Sequence, residues 1–540
     1  MEVPVQEVRR GGLEYKWIVA LVVVFGAFMS VLDQTIVNIA IPRFQSAFGA
    51  DLNSVQWVLT AYILTQGVVT PTTAFFADRL GNKRFYLIAL VIFTVGSALC
   101  GLAWNLPVLI VFRILQGIGG AFLFPLGITL LFNEFPIEQR GLASGLFGIA
   151  ALLAPAVGPT LGGYVVTYSG WPLIFLINVP IGIVAIVMAF FLLRDIRTTL
   201  RTRFDVPGFI LVATGLASVL YALSDASTDG WGSVKVEGFL IVGILILCAF
   251  VVVELLIIRR GGQPLVNLAL FANGPFLTSN IANALITFAF FGGLFLFPIY
   301  LQNLRGLSAF QSGLLFLPQA FASIVTAVIG GRFVDRLGAR LVVLPGLILL
   351  AFATWQFTYF TVQTPFWWIQ VLFLIRGLAL GLIIQPLTVS ALTDVQPRQF
   401  AQASSLNTVV RFVSTSLGIA VLATLVQTQA KVHYDHLAQQ VTPASAFGRV
   451  LTGLRSLFLL HGYTPAQASA IATREVIGLV QRQGYMLALI DSFWVTLAFI
   501  LAAIVATCFI RSRKRSVPSS ATDAVSAEED ASRREAMLVG

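Results

Sequence analysis

Apolar segments of membrane-spanning length alternate with short polar loops along most of this chain. A helix of roughly 17 to 25 apolar residues can cross the hydrocarbon core of a bilayer. Fourteen segments meet this requirement, at residues 17–41, 55–77, 85–105, 107–133, 141–166, 172–193, 207–223, 238–258, 275–302, 309–331, 341–362, 366–392, 402–428 and 486–510. They are too continuously apolar for the alternating strands of a membrane barrel, so the pattern predicts an all-α membrane protein.

A short motif, Asp-Arg-x-Gly, occurs twice at equivalent places in this pattern. One copy begins at Asp78 and the other at Asp335, a separation of 257 residues. Pro125 and Pro386 recur at an offset of 261 residues. A repeat that carries several spans per copy predicts two helical bundles that rock against each other, as in secondary transporters.

The repeat offset is longer than six spans with short loops require. Two spans, at 207–223 and 238–258, therefore lie between two six-helix bundles. The predicted order is a cytoplasmic N-terminus, the first bundle, a connector with two extra spans, the second bundle and a disordered cytoplasmic tail, at 1–16, 17–193, 194–260, 261–510 and 511–540.

The loop at 429–485 is the one sizeable segment predicted to lie outside the membrane. Its apolar stretches, interrupted by Pro443 and by the turn from Gly462 to Pro465, predict a helical hairpin. Such a hairpin would cap the outer mouth of the protein or rest on the lipid surface. An exposed spacer is an equally expected alternative.

Composition and charge place the chain in a membrane with a defined orientation. Of its 540 residues, 57% are hydrophobic and 11% are charged, whereas a soluble protein carries about 25% charged residues. Twenty-three of the 34 Lys and Arg residues fall in the loops and tails of one side, and three fall in the short loops of the other. The positive-inside rule then predicts a multi-pass protein of the cell (plasma or inner) membrane with both termini in the cytoplasm. The net charge of +10 reflects this topology, so no nucleic-acid partner is expected.

Several classes of chemistry have no support in the sequence. The three cysteines lie in apolar segments, and the three histidines lie together in the 429–485 loop. Neither distribution suits a disulfide framework or a metal site inside the membrane. The sequence also lacks a phosphate-binding loop and a nucleophile–base pair, so we expect no enzyme, no metal and no cofactor.

Asp33 is the only acidic residue well inside a predicted span. A carboxylate in hydrocarbon is costly, so it normally faces a cavity or an ion partner and marks an ion path. Arg113 is the candidate partner, because both residues lie roughly 9–12 Å below the outer surface at about 1.5 Å of rise per residue. A carboxylate balanced between burial and a cation can bind and release a proton. Asp33 and Arg113 are therefore the candidate proton-coupling pair, and a purely structural link between helices is the alternative.

Two further arginines, Arg376 and Arg411, lie near mid-membrane with no acid at their depth. Either they donate to backbone carbonyls of broken helices, or they form a site that tolerates neutral and anionic substrates and disfavours dications. Three amides near the coupling pair are further candidates for a cavity or substrate contact, namely Gln34, Asn38 and Gln116.

The fifth predicted span concentrates small residues and prolines. Ala154, Gly158 and Gly162 are four residues apart, so small side chains line one helix face and permit close backbone contact. Adjacent prolines permit bending. The segment is therefore a candidate hinge, formed by Pro155, Gly158, Pro159, Gly162 and Gly163.

Taken in order, these residues resemble the motifs of a known family. The matching stretches are Leu32-Asp33-x-Thr35-Ile36-Val37-Asn38, Asp78-Arg79-x-Gly81-Asn82-Lys83-Arg84, Arg113-x-x-Gln116-Gly117-x-Gly119, Gly158-Pro159-x-x-Gly162-Gly163, Phe175 to Gly182, and Asn407 to Gly418. On these stretches the chain is identified as a fourteen-span drug:proton antiporter of the major facilitator superfamily, of the EmrB/QacA type. The resemblance covers about residues 17–510.

The resemblance implies roles for several of these residues. The two Asp-Arg-x-Gly loops would help to hold a cytoplasmic gate closed, through Asp78, Arg79, Gly81, Arg84, Gly331, Asp335, Arg336 and Gly338. Ala74 stands where the loop signature normally has glycine, whereas the second copy keeps Gly331. We therefore expect the second copy to pack more closely. The span-5 motif implies export.

The expected function is proton-coupled export of lipophilic or amphipathic small molecules, with multidrug efflux as the leading form. Protons would be the only coupling ion, and the protein would work as a monomer in the lipid bilayer. A dedicated metabolite carrier of the same fold and a non-transporting membrane sensor are the alternatives. A membrane-fusion adaptor that binds the 429–485 loop is an open partner.

Overall fold

The computed structural model describes residues 14–50, 52–194, 204–260, 264–393, 395–396 and 399–510. The predictions for the tails at 1–13 and 511–540, and for the basic connector at 195–203, fall on residues outside this description. Within it, every regular element is a helix. The all-α membrane fold expected from the sequence is confirmed.

Thirteen helices of the described residues are long and apolar enough to cross a membrane. The one predicted span that is missing from these thirteen, at 55–77, is divided into two helices, Leu52–Val69 and Thr73–Leu80. A 3-10 turn at Thr70–Thr72 joins them at Pro71, because a proline inside a helix removes a backbone donor and clashes with the preceding turn.

The described residues of the first bundle form nine α-helices. Three of them are short pieces that flank or extend the spans. In chain order they are α1 (Tyr15–Ile36), α2 (Ile41–Phe48), α3 (Leu52–Val69), α4 (Thr73–Leu80), α5 (Asn82–Gly101), α6 (Leu106–Glu134), α7 (Arg140–Tyr168), α8 (Pro172–Leu176) and α9 (Asn178–Leu192).

In the part of the chain that the structure describes, two α-helices follow the first bundle, and seven more form the second bundle and its extension. The inserted pair is α10 (Val206–Asp229) and α11 (Val234–Arg259). The remaining helices are α12 (Gly274–Pro298), α13 (Ala309–Leu337), α14 (Ala339–Phe357), α15 (Phe366–Leu392), α16 (Phe400–Gln439), α17 (Ala446–Leu460) and α18 (Pro465–Cys508). A short π-helix, Ile299–Leu304, continues α12.

Both ends of α7 and α13 meet where the two bundles face each other. We term the membrane side that carries the two Asp-Arg-x-Gly loops the basic face. There, Gly141 of α7 abuts Gly331 of α13, and a Cβ atom at either glycine would overlap the carbonyl oxygen of the other. At the opposite end, Gly163 lies against Phe310. Glycines allow this approach because they carry no side chain.

Helix α16 makes the second set of contacts between the bundles. The Ser404 hydroxyl donates to the carbonyl oxygen of Pro125 at 3.2 Å, and the Ser405 hydroxyl donates to that of Thr70 at 2.8 Å. All four residues are buried. Together with the glycine contact of α7 and α13, these bonds close the space between the bundles toward the basic face.

The inserted pair bridges the two bundles on one flank. Ser224 of α10 shares a 2.9 Å hydrogen bond with Thr60 of α3. The indole of Trp231 donates to Thr424 of α16 at 3.0 Å. Helix α11 lies outside α10, and most of its apolar side chains are exposed, for example Leu245 at 63%. Exposed apolar surface on a membrane helix is the surface expected to face lipid.

The helices of the last two predicted spans run well past the membrane boundaries at 428 and 486. Helix α16 continues to Gln439, and α18 begins at Pro465. The two extensions pack together where Gly484 lies against the backbone of Tyr434, and α17 packs on α18. The 429–485 segment is thus helical, with an exposed apolar tip at Leu460, which is 85% exposed.

Candidate functional site

The centre of the first bundle is a buried polar network around Asp33. Helix α1 ends three residues after Asp33 and gives way to a 3-10 turn at Val37–Ala40. The Asp33 side chain is 0% exposed. A buried charge must be paired and hydrogen-bonded to be tolerated, so its partners define the site.

Arg113 of α6 is the charged partner that the depth estimate predicted. Its Nη1 atom lies 2.5 Å from Asp33 Oδ2, and both side chains are fully buried. The guanidinium also donates through Nε to the carbonyl oxygen of Val58 at 3.0 Å. Its plane lies over the ring of Tyr62 at 4.0 Å, a cation–π contact. Arg113 therefore links α1, α3 and α6.

Two amides complete the coordination of the carboxylate. Gln116 Nε2 and Asn178 Nδ2 each donate to Asp33 Oδ1 at 2.9 Å. Gln116 also accepts from Arg113 Nη1 at 2.7 Å, and Asn178 also donates to the Ser97 hydroxyl at 3.2 Å. The carboxylate thus has three donors, and an ionised group with this set is well stabilised.

Asn178, Ser97 and Tyr62 are members of this network that the sequence-based site did not include. Each is a neutral side chain inside an apolar segment, so neither charge nor spacing distinguished it from core residues. Of the three, Asn178 could most readily have been identified from the sequence, because it lies in the Phe175 to Gly182 stretch that carries part of the family resemblance.

The carboxylate of Asp33 holds three helices together through hydrogen bonds that depend on its charge. Asp33 is held by α6 through Arg113 and Gln116, and by α9 through Asn178. A proton on the carboxylate removes its charge and turns one acceptor oxygen into a donor. The charge-assisted bonds are roughly twice as strong as neutral ones, so protonation loosens the link between α1, α6 and α9.

The span-5 glycines lie against α1 directly after Asp33. A Cβ atom at Gly158 would overlap the Thr35 hydroxyl, and one at Gly162 would lie 2.7 Å from Ile36 Cγ1. Pro155 and Pro159 lie in the same helix, which is continuous from Arg140 to Tyr168. Gly158 and Gly162 thus form a close contact between α7 and α1, and Gly163 lies against Phe310 of α13.

At the basic face, the second Asp-Arg-x-Gly copy joins the two bundles. Asp335 accepts from the backbone N–H groups of Gly141 at 2.8 Å and Leu142 at 3.1 Å. These belong to the first turn of α7, where free N–H groups and the helix dipole favour a carboxylate. Gly331 lies one turn earlier on α13 and packs on Gly141.

The first copy has the same local turn. Gly81 and Gly338 have positive φ angles of 80° and 83°, which glycine adopts at little cost. Burial raises the pKa of Asp78, which lies beyond the predicted 55–77 span, to about 6. Ala74, at the place of Gly331, is buried. The basic side chains of both loops are exposed, namely Arg79, Arg84 and Arg336.

The remaining candidates lie outside the Asp33 network. Gln34 donates to Gln66 at 3.0 Å, and Asn38 is exposed and donates to the carbonyl oxygen of Gln34 at 3.3 Å. Arg411 of α16 lies over the ring of Phe124 of α6 at 3.7 Å, so this cation–π contact crosses between the bundles. Its side chain is half-buried.

Arg376 of α15 is buried in the second bundle without an acidic partner among the described residues. Its Nη2 atom donates to the carbonyl oxygen of Phe290 at 3.1 Å. The guanidinium also lies near the rings of Phe290 and Phe297, at 5.0 and 4.8 Å. The sequence left open whether Arg376 donates to carbonyl oxygens of broken helices or forms a substrate site. The structure shows a bond to a carbonyl oxygen, but α12 is not broken at Phe290.

Comparison with known proteins assigns the whole arrangement to one family. The family model of the Major Facilitator Superfamily matches residues 23–419. The Multidrug export protein EmrB of Escherichia coli (strain K12) is 30% identical over 494 residues, which cover 90% of this chain and 93% of that protein. The Riboflavin transporter RibZ of Clostridioides difficile (strain 630) is 32% identical over 412 residues, with 76% and 88% covered.

The fold is shared with a solved transporter of low sequence identity. The crystal structure of the human organic anion transporter MFSD10 (TETRAN) matches with a TM-score of 0.57 at 13% identity. The match covers 90% of this chain and 99% of that one. At this identity the likeness is one of architecture alone.

Proposed function

The chain belongs to the Major Facilitator Superfamily, and from this premise we propose that it is a proton-coupled exporter of lipophilic or amphipathic small molecules. Members of the family transport small molecules across membranes. What we propose for this chain is the coupling ion, the direction of transport and the class of substrate. The observation that carries proton coupling is the buried Asp33–Arg113 pair with its two amide donors.

Asp33 is the proton carrier in this proposal, and Arg113 is the partner that holds its ionised form. Arriving from the outer side, a proton neutralises Asp33 and frees Arg113. Departure of the proton toward the cytoplasm restores the ion pair. Because the carboxylate is 0% exposed in this closed arrangement, proton exchange requires the bundle to open.

The contact of α1 with α7 would carry this change to the bundle interface. Thr35 and Ile36 follow Asp33 directly and lie against Gly158 and Gly162 of α7. Thr35 also donates to the carbonyl oxygen of Ala154 in α7 at 3.3 Å. Since α7 is packed on α13 along its length, a shift of α1 alters how the bundles fit together.

The Asp335 contact would hold the gate at the basic face, which the charge distribution assigns to the cytoplasm. A closed basic face corresponds to the state that releases substrate outside. Reopening this face requires the loss of both backbone bonds to Asp335 and of the Gly141–Gly331 contact. The protein would act as a monomer in the cell membrane with both termini in the cytoplasm.

The substrate would bind between the bundles near Arg411 and Phe124. This pair is contributed by both bundles, so a ligand there senses their relative position. The aromatic surface includes Phe147, whose ring lies 4.6 Å from that of Phe124. Aromatic walls suit lipophilic molecules, and a half-buried arginine favours neutral or anionic groups over dications.

A dedicated metabolite exporter is the second candidate, because a relative at 32% identity is named a riboflavin transporter. The two candidates share the coupling site and differ in the substrate. Transport of riboflavin in preference to unrelated lipophilic molecules would favour the dedicated carrier.

The test uses everted membrane vesicles from cells that express the full chain. Nile red and riboflavin serve as the two transport probes, with an imposed proton gradient. We expect gradient-dependent uptake of at least one probe, its collapse when the gradient is dissipated, and its loss in Asp33→Asn. The matched control is Asp225→Asn, which removes an acid paired with Lys235 outside the network.

The outcomes separate the proposal from its alternatives. Uptake that survives both dissipation of the gradient and Asp33→Asn would rule out proton coupling through this residue. Absence of uptake of a broad probe panel would favour a non-transporting sensor. Loss of uptake in Asp225→Asn as well would show that the Asp33 result is not specific.

A further inference from the structure

One strongly polar group of the second bundle has no role in the proposed transport cycle. Arg376 is 3% exposed, and its Nη1 atom has no hydrogen-bond partner in the part of the chain that the structure describes. No carboxylate among those residues pairs with the guanidinium. An unpaired cation in a low-dielectric interior is strongly unfavourable unless a counter-charge accompanies it.

A small cavity lies beside this guanidinium. Its volume is about 10 Å³, which is room for about one water-sized species. The walls come from α12, α14, α15 and α18 and are apolar or aromatic apart from Arg376, Thr354 and Thr496. The cavity is separate from the Asp33 network, which lies in the other bundle.

The polar groups of the cavity are one guanidinium and two hydroxyls. The Thr496 hydroxyl already donates to the carbonyl oxygen of Ser492 at 2.8 Å. Thr354 is 3% exposed and lines the same cavity, so its hydroxyl is a second donor there. Arg376 Nη1, which has no partner among the described residues, thus lies at a cavity that also presents a hydroxyl.

We propose that this cavity binds a single small monovalent anion, a halide such as chloride, between Arg376 and Thr354. A halide supplies the missing counter-charge and accepts from both donors. A water molecule would accept hydrogen bonds but leave the cation uncompensated, and a phosphate or sulfate is too large for the space. The bound anion links α12, α14, α15 and α18, so it stabilises the second bundle as one body.

The experiment measures thermal unfolding of the purified full chain in detergent through its tryptophan fluorescence. Chloride or bromide replaces gluconate at constant ionic strength. We expect a saturable rise in Tm with halide concentration, because a ligand that binds only the folded state stabilises it by mass action. Binding of radiolabelled chloride to the same sample provides a second readout that is independent of stability.

Three variants locate the site. Arg376→Met should abolish the halide-dependent rise in Tm, and Thr354→Val should raise the half-saturating halide concentration several-fold. The matched control is Arg411→Met, which removes another arginine of the same bundle that lies outside the cavity. It should keep the wild-type halide response.

Each outcome decides the proposal. No halide response in the wild type, or the same response in Arg376→Met, would overturn it in favour of a water-filled cavity. Loss of the response in Arg411→Met alone would place the anion elsewhere. If Arg376→Met does not fold, an unchanged chloride affinity in Thr354→Val would equally overturn it. Asp33→Asn should keep the halide response, so this test is independent of proton coupling.

Discussion

The two bundles of this transporter differ in the partner of a buried arginine. In the first bundle, Arg113 on α6 is paired with Asp33 on α1. In the second, Arg376 lies on the corresponding helix α15, and the repeat offset of 257 to 261 residues carries Asp33 onto residues 290–294 of α12. These residues are two phenylalanines, two glycines and a leucine, so Arg376 meets a backbone carbonyl where Arg113 meets a carboxylate.

This difference separates a site that can change its charge from one that cannot. Asp33 can take up a proton and thereby break its pair, which makes the first bundle the candidate for proton coupling. Arg376 remains a cation at any physiological pH, because a guanidinium does not deprotonate in proteins, and only a bound anion can offset its charge. Among the described residues, a buried arginine is thus paired with a carboxylate in the first bundle and not at the corresponding place in the second.

Replacing each arginine by methionine should separate the two sites most clearly. Arg113→Met leaves the Asp33 carboxylate buried without its cation, which costs about 3–5 kcal/mol for a broken buried pair. Arg376→Met removes an unpaired cation and should be neutral or stabilising in halide-free buffer. The measurement is Tm by tryptophan fluorescence in one detergent.

The control for this comparison removes both members of the pair. The double variant Asp33→Asn with Arg113→Met should recover most of the stability lost in Arg113→Met, because no buried charge remains, yet it should not couple transport to protons. An Arg376→Met variant as unstable as Arg113→Met would mean that the second bundle also holds a counter-charge from the chain.

The asparagines of the two bundles extend the comparison to neutral side chains. Asn178 donates to the Asp33 carboxylate at 2.9 Å, whereas Asn407 of α16 donates to the amide oxygen of Asn280 at 3.0 Å. Both are buried. Because a bond to a charged group contributes about 1.5–3 kcal/mol and a neutral one about 0.5–1.5 kcal/mol, Asn178→Ala should lower Tm more than Asn407→Ala.

Transport provides the second readout for this pair. Asn178→Ala should slow proton-driven uptake several-fold, since the carboxylate loses the donor that ties it to α9. Asn407→Ala should leave proton-driven uptake near the wild-type rate. Equal effects of the two variants on uptake would show that Asn178 acts in packing and not in the Asp33 network.

The sequence predicted the fold because the bilayer imposes simple rules. Apolar length identified the spans, the charge of the loops oriented them, and the offset of the repeated motif separated the bundles from the inserted pair. Those rules end at the membrane boundary. Helix α16 therefore continues past 428 and α18 begins before 486, where Ala430 and Gly484 extend the contact between the two helices.

The site was predictable where charge marked it. Asp33 and Arg113 were charged residues in apolar segments at a common depth, and they meet in the structure. Asn178 and Tyr62 carry no charge, so only the packing of α9 and α3 reveals them. Whether these residues couple protons to transport stays a prediction for the vesicle experiment.

The two Asp-Arg-x-Gly copies allow the same comparison of the bundles, with the smallest expected effect. The second copy packs on the first bundle through Gly331 and Gly141, where a Cβ atom would overlap a carbonyl oxygen. Gly331→Ala should therefore force α13 away from α7, at about 1–3 kcal/mol for an overpacked contact. Ala74→Gly, at the matching place of the first copy, removes a methyl group and should have a smaller effect.

Because the overlap lies between the bundles, its cost falls on the closed basic face and shifts the protein toward the open one. A shift of 1.4 kcal/mol changes the ratio of the two states about tenfold.

The readout is maleimide labelling of a Ser144→Cys variant in a background without the native cysteines, since Ser144 of α7 is buried against Gln385 of α15. Faster labelling in Gly331→Ala than in Ala74→Gly would support a gate held by the second copy. Equal labelling rates would show that the close glycine contact does not control opening, and the asymmetry of the loops would then have no part in transport.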